Sequence, residues 1–249
     1  ESFHDNIPFV SLPKTFQDVV TVTRKLGYQF LWIDALCILR DDLQAWLREA
    51  PKMSSIYSES TCTIAAHGTK DDNEGSLTAT LEPADVSKLI LGRCFREQVN
   101  ESFLTRRGWV FQERILSRRI LHFTRHHVFF EDVSGVHAVD AGASPPPWTH
   151  QPWRDDKLVV QNVVATMADW YKLVERYNIC ALTFDRDRLP AVAGIARFVA
   201  SYDFAREYLF GLWSKSLHQG LLWVAADNSP QEVFYGLDYD GPPRPPSWS

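Results

Sequence analysis

No stretch of this 249-residue chain comes near eighteen consecutive apolar residues, so no membrane-spanning helix is expected. Neither GxGxxG nor GxxxxGK(S/T) occurs, which removes the standard Rossmann and P-loop sites. GxSxG is missing too, and with it a lipase-like nucleophile elbow. Cysteine is sparse. The four are Cys37, Cys62, Cys94 and Cys180, and no two form a CxxC pair. A disulfide framework is therefore not expected, and a reducing compartment is. Cys37 and Cys62 sit at or in apolar runs and read as buried thiols. The formal net charge of −5 leaves no broad basic field, so nucleic acid is not an expected partner. No secretory leader is visible, and a cytoplasmic location is the expectation.

The chain is 45% hydrophobic, enough to bury a substantial core. It holds nine tryptophans. Most belong in that core, but some can line a pocket for a flat ligand. Arginines cluster at Arg106, Arg107, Arg114, Arg118 and Arg119, either to bind a phosphate or as solvated, salt-bridged helix ends.

Hydrophobic periodicity divides the chain. Pro13 to Leu26 reads as a helix with Phe16, Val19, Val20, Val22 and Thr23 on one face, stopped by Gly27. Tyr28 to Ile33 is apolar on both faces and reads as a buried strand that stops on Asp34. Asp41 and Asp42 open a helix along Leu43, Trp46, Ala50, Met53 and Tyr57, which Pro51 kinks or splits. Thr61 to Ala66 is a short β-branched strand, and residues 67–105 read as loops with short elements. Trp109 to Ser117 is helical. Arg119 to Phe123 and Val128 to Glu131 are strands around a turn at Arg125–His127. This alternation predicts an α/β fold with a largely parallel sheet. Pro145 to Pro147 mark a linker. Beyond it come a long helical stripe from Leu158 to Tyr177, a helix capped by Asp187 with Val192, Ile195 and Val199 inward, and a third helix over Tyr208 to Trp223. The tail from Gly241 is Pro-rich and extended.

Several blocks occur in a fixed order. They are Leu31-Trp32-Ile33-Asp34-Ala35-Leu36-Cys37; Ala45-Trp46 through Glu49-Ala50, Lys52-Met53 and Ile56-Tyr57; Thr63-Ile64-Ala65-Ala66; and Arg107-Gly108-Trp109-Val110-Phe111-Gln112-Glu113-Arg114 running on to His122-Phe123. In this the chain resembles the HET (heterokaryon incompatibility) domain of filamentous fungi. The resemblance to HET-family proteins continues past the linker at Leu182-Thr183, Leu189-Pro190-Ala191, Gly194-Ile195-Ala196, Gly211-Leu212-Trp213 and Leu221-Leu222-Trp223. The family usually opens with an ALSYxWG-like block, and nothing before Pro13 matches it.

The resemblance implies a role in programmed cell death on non-self recognition. The HET family has been compared with the TIR fold, some members of which cleave NAD. Their WCxxE pattern carries a catalytic glutamate, and Trp109 and Glu113 share its spacing, with Val110 in place of the cysteine. The fold thus implied is TIR-like, or flavodoxin-like: a largely parallel sheet flanked by helices, with a helical C-terminal extension. The implied organisation is a HET domain over 1–138, a Pro-rich linker over 139–156, the helical extension over 157–240 and a Pro-rich tail over 241–249.

On this resemblance Glu113 is the candidate catalytic residue. A carboxylate can stabilise the oxocarbenium-like sugar formed when the nicotinamide–ribose bond breaks. Its alternative is an ion pair with a nearby arginine. Asp34 can bind ribose hydroxyls beyond a strand end, or form an Asx turn or cap. Arg107 can grip a diphosphate, or pair with Asp34 or Glu113. Trp109 can stack on a ring, or pack in the core. Gln112 can bond a ribose, or the backbone. Trp46 reads as core, and Glu49 as a buried partner for an arginine. His122, His126 and His127 suggest a metal at first sight, but no Cys/His grouping completes a zinc set, so no metal is expected. NAD is a consumed substrate in this reading and no cofactor is implied. The expected partners are NAD or a related nucleotide, and a second copy or an activating protein. The rival readings are a non-enzymatic self-association module, and a HET-like fold used for another small-molecule reaction.

Overall fold

In the computed structural model the described residues are 7–38, 42–68, 75, 88–133, 135–138, 167–200 and 207–222. Asp41, the linker, the Leu158–Val163 part of the helical stripe and the Pro-rich tail lie outside them.

Helix α1 spans Lys14–Lys25. Lys14 pairs with Asp18, and Arg24 and Lys25 complement the dipole at its C-terminus. Gly27, at φ +81°, closes it in the left-handed region. Thr15, Asp18 and Thr23 are buried, while the expected apolar face of Phe16, Val19, Val20 and Val22 is only half-buried. Helix α2, Asp34–Cys37, is a single turn. Asp42 caps helix α3, Leu43–Glu49, accepting from the Gln44 and Ala45 amides at 2.8 and 3.0 Å. Pro51 splits the expected long helix: a 3-10 turn over Ala50–Lys52 separates α3 from helix α4, Met53–Glu59.

The segment Tyr28–Ile33 is not a buried strand. It pairs with no described strand, and Phe30 is 91% exposed. An apolar run makes a strand only where a neighbour takes its backbone hydrogen bonds. Asp34 therefore begins α2 rather than ending a strand.

Strands β1 (Thr63–Ala66), β2 (Ile120–Phe123), β3 (Val128–Asp132) and β4 (Gly135–Ala138) form one sheet in chain order. β1 and β2 are parallel, Thr63 opposite Ile120, while β2–β3 and β3–β4 are antiparallel. The largely parallel sheet is thus corrected to a mixed one. The connection from Thr124 to His127 is too short for a crossover and permits only an antiparallel return. Thr124 fixes that turn, its Oγ1 donating to His127 O at 2.7 Å and accepting from His127 N at 3.0 Å. Residues 88–100 are more helical than expected, with α5 at Lys88–Phe95 running into a π-helical turn at Arg96–Asn100. The result is a mixed α/β fold, a four-stranded mixed sheet flanked by helices.

Helix α6, Gly108–Leu116, joins the two halves of the structure. Its Ile115 and Leu116 pack into a core with Trp170, Leu173 and Tyr177 of α7 (Met167–Asn178) and with Ala191, Val192, Ile195, Ala196 and Val199 of α8 (Pro190–Ala200). The expected inward set Val192, Ile195 and Val199 is buried. The third helix over Tyr208–Trp223 is corrected. Tyr208–Leu209 and Leu212–Trp213 form a two-stranded hairpin, β5 and β6, and only Leu217–Gly220 is helical. Phe210 and Gly211, at φ 49° and 99°, supply the turn that matches strand twist. Trp170 Nε1 donates to Gly211 O at 3.1 Å and holds the hairpin on the helical core.

Candidate functional site

A cleft of 1210 Å³ lies between α1, the segment Tyr28–Ile33, the start of α2, α4, β1, the first turns of α6 and the segment 183–187. Glu113 faces into it from α6. Trp109, one helical turn earlier, lines the same wall, as their spacing requires. Asp34 enters from the first turn of α2, and Arg107 from the extended residue that caps α6. Tyr57 enters from α4 and donates its hydroxyl to the Glu113 carboxylate.

The environment retunes Glu113. Desolvation by the cleft walls pushes its carboxyl up to about 7, and the negative charge of Asp34 adds to the rise. The Tyr57 hydrogen bond and the positive Arg107 oppose it. Burial, with the fields of Glu113 and Asp34, pushes the Tyr57 phenol well above its usual range, so it remains a protonated donor. A carboxyl poised near neutrality beside a second carboxylate and a cation is the arrangement expected of an acid/base or charge-stabilising group.

Aromatic rings wall this centre. Trp32 meets Tyr57 edge-on at 5.7 Å, and Trp46 meets Trp109 at 6.1 Å. The Trp109 indole donates to Asp187 at 3.2 Å. Trp46, expected in the core, is half-buried and lines the cleft, and Glu49 pairs with Lys52 rather than with an arginine. Asp187, expected as a helix cap, is buried and holds Trp109 instead.

Asp34, Arg107, Trp109 and Glu113 are therefore brought together. Gln112 is not. It is 1% exposed, turned toward α8, and its Oε1 accepts from Gly194 N of that helix at 3.0 Å. The backbone alternative describes it. Tyr57, Trp32 and Asp187 were missed as site residues. Tyr57 lies on the Met53 stripe, which was the one available signal, and its approach to Glu113 joins separate elements.

Behind the cleft runs a polar chain. Glu131 accepts from His122 Nε2 at 2.8 Å and from Arg114 Nε at 3.2 Å, and Arg114 also donates to Asn100 at 2.8 Å. With His122 Nε2 donating, its Nδ1 accepts from His67 Nε2 at 2.9 Å, and His67 Nδ1 accepts from Ser102 Oγ at 2.8 Å. Burial, then the neighbouring His122 and Arg114, holds His67 well below its usual range, hence neutral. Among the described residues, no group of three His, Cys, Asp or Glu is placed to hold a metal ion, and no helix is long and apolar enough to cross a membrane. None of the four cysteines forms a disulfide. Cys37 is exposed on α2 and Cys62 half-buried, which corrects their reading as buried thiols.

The family model described as heterokaryon incompatibility protein (HET) matches residues 1–113, a match whose last residue is Glu113. No curated protein and no solved structure matches the chain.

Proposed function

We propose that this chain, whose residues 1–113 match the HET family model, acts in heterokaryon incompatibility and cell death by cleaving NAD at the nicotinamide–ribose bond. One observation carries the reading. Glu113 stands in a large aromatic-walled cleft beside Asp34, Tyr57 and Arg107, with its carboxyl raised to about 7.

The chemistry follows from those groups. The glycosidic C–N bond breaks and its electron pair neutralises the nicotinamide ring, which leaves without needing a proton. Positive charge develops on the ribose, and the Glu113 carboxylate stabilises it. Water then attacks the anomeric carbon and its proton passes to Glu113. Asp34 holds ribose hydroxyls, Arg107 takes phosphate oxygens, and the tryptophan faces receive the flat rings. Tyr57 keeps the carboxylate aimed.

The test is NAD consumption by the purified chain beside Glu113→Gln, with circular dichroism on both. A folded Glu113→Gln protein should lose about 100-fold or more in kcat. Absence of turnover by wild type across a wide concentration range would overturn the reading.

A second reading, a non-enzymatic self-association module, is favoured by one feature. Leu26, Tyr28, Phe30, Leu31 and Leu36 are all exposed within eleven residues of chain. Analytical ultracentrifugation of wild type and Phe30→Asp tests it: a concentration-dependent oligomer abolished by the substitution supports association, and a monomer throughout removes it.

A further inference from the structure

The start of α6 and the segment around Ala181 run side by side. Ala181 N donates to Arg106 O at 2.7 Å, Gly108 N donates to Ala181 O at 2.8 Å, and Arg107 and Ala181 form a parallel bridge. Further along, Asp187 accepts the Trp109 indole N–H at 3.2 Å. The segment from Ala181 to Asp187 is thus pinned at both ends to the residues that carry Arg107 and Trp109. Between the pins, Thr183, Phe184 and Arg186 line the same cleft as Glu113, although they lie outside the HET-matched residues 1–113.

The Arg186 guanidinium carbon lies 4.7 Å from the Phe184 ring centroid. Stacking orients a guanidinium without consuming its N–H donors. The acidic neighbours on this segment are engaged elsewhere, Asp185 beside Arg188 at 3.7 Å and Asp187 under the Trp109 N–H. Among the described residues no carboxylate forms a salt bridge with Arg186 or with Arg107. Arg114, another cleft arginine, is held by Glu131 and Asn100.

We infer that Arg186 is a specificity-determining residue which, with Arg107, forms an anion clamp for the diphosphate of a nucleotide ligand. The inference rests on the reading of the cleft as a ribosyl-nucleotide site and adds which end of the ligand lies where. Glu113 and Asp34 repel phosphate and suit the ribosyl end. The two arginines sit where the α6 start and the 181–187 segment meet, and suit the charged end. A diphosphate presents adjacent anionic groups, and two planar forks can each bind one bidentately.

The test is calorimetric titration of the full chain with ADP-ribose and with nicotinamide riboside, which lacks phosphate. The variants are Arg186→Ala, Arg186→Lys and, as a charge-matched control, the exposed Arg118→Ala. Arg186→Ala should weaken ADP-ribose binding about 10- to 100-fold, the worth of charged hydrogen bonds, and leave the riboside within about twofold. Its ADP-ribose affinity should also depend less on salt. Arg186→Lys keeps the charge without the fork and should fall between; it carries the test if the alanine variant does not fold. Arg118→Ala should match wild type. If wild type binds both ligands and Arg186→Ala binds ADP-ribose equally well, or Arg118→Ala weakens it as much, the clamp is overturned and the ribosyl site stands. If wild type binds the riboside but not ADP-ribose, the clamp is likewise overturned alone. If it binds neither, both fall.

Discussion

Glu113 is held by opposing influences. Desolvation and Asp34 raise its pKa, while Tyr57 and Arg107 lower it, and the balance is about 7. In the proposed reaction the ionised form stabilises the ribosyl cation, so kcat/KM for NAD should rise with pH through about 7 and level above it. Tyr57→Phe removes a donor to the carboxylate and should move that rise about one pH unit upward. A rise left where it was would detach Tyr57 from Glu113. The same shift has a stability sign. In the folded state Glu113 keeps its proton above the unfolded value of 4.5, so the fold loses stability as pH climbs from there through about 7. Glu113→Gln, which never ionises, should gain on wild type by about 1–2 kcal/mol between pH 5 and pH 8, after allowance for partial solvent screening. Thermal melts of the two proteins across that range read it out. Of the site residues, Glu113 was legible through the HET resemblance, and its place on one helix face with Trp109 through their spacing. Tyr57 could not, because its hydroxyl meets Glu113 only after α4 and α6 pack.

Helix α6 has two working faces. One carries Trp109 and Glu113 to the cleft. The other carries Gln112 against α8, where a Cβ added at Gly194 would fall 2.2 Å from Gln112 Oε1 and 2.8 Å from Ser54 Cβ. Gly194→Ala should therefore cost about 1–3 kcal/mol by denaturant unfolding, and Gln112→Ala in the same chain should recover part of it. Strict additivity of the two would show that they do not meet. The sheet has its own dependency. Glu131 on β3 accepts from both Arg114 and His122, and its side chain is 7% exposed beside an arginine at 16%. Glu131→Gln leaves that cation without its buried charge partner, and a loss of about 3 kcal/mol is expected in the same assay.

The fold closes around α6. Ile115 and Leu116 turn toward Trp170, Ile195 and Trp213, so residues far along the chain cover a helix that belongs to the α/β half. A chain ending at residue 138 would expose that face and lose the 181–187 wall of the cleft. It should show no cooperative thermal transition by circular dichroism, whereas the full chain should. Cooperative melting of the shorter chain would mean that the two halves are energetically separate.

By itself the sequence determined the local elements whose causes are local. Gly27 ends α1, Asp42 caps α3, Pro51 splits the helix after it, and three- and four-residue spacing places Trp109 beside Glu113. Periodicity alone also buried Val192, Ile195 and Val199. Only the tertiary structure decided what depends on a neighbour. Tyr28–Ile33 had the composition of a buried strand but meets no described strand, so it became a wall of the cleft. The sheet is mixed because a four-residue turn left β3 no path to run parallel. Tyr208–Trp213 turned back as a hairpin under Trp170 rather than winding on as a helix. Trp46 and Asp187 became cleft residues, and Glu113 reached a near-neutral pKa, because pairing, burial and the fields of distant charges exist only once the chain has closed on itself.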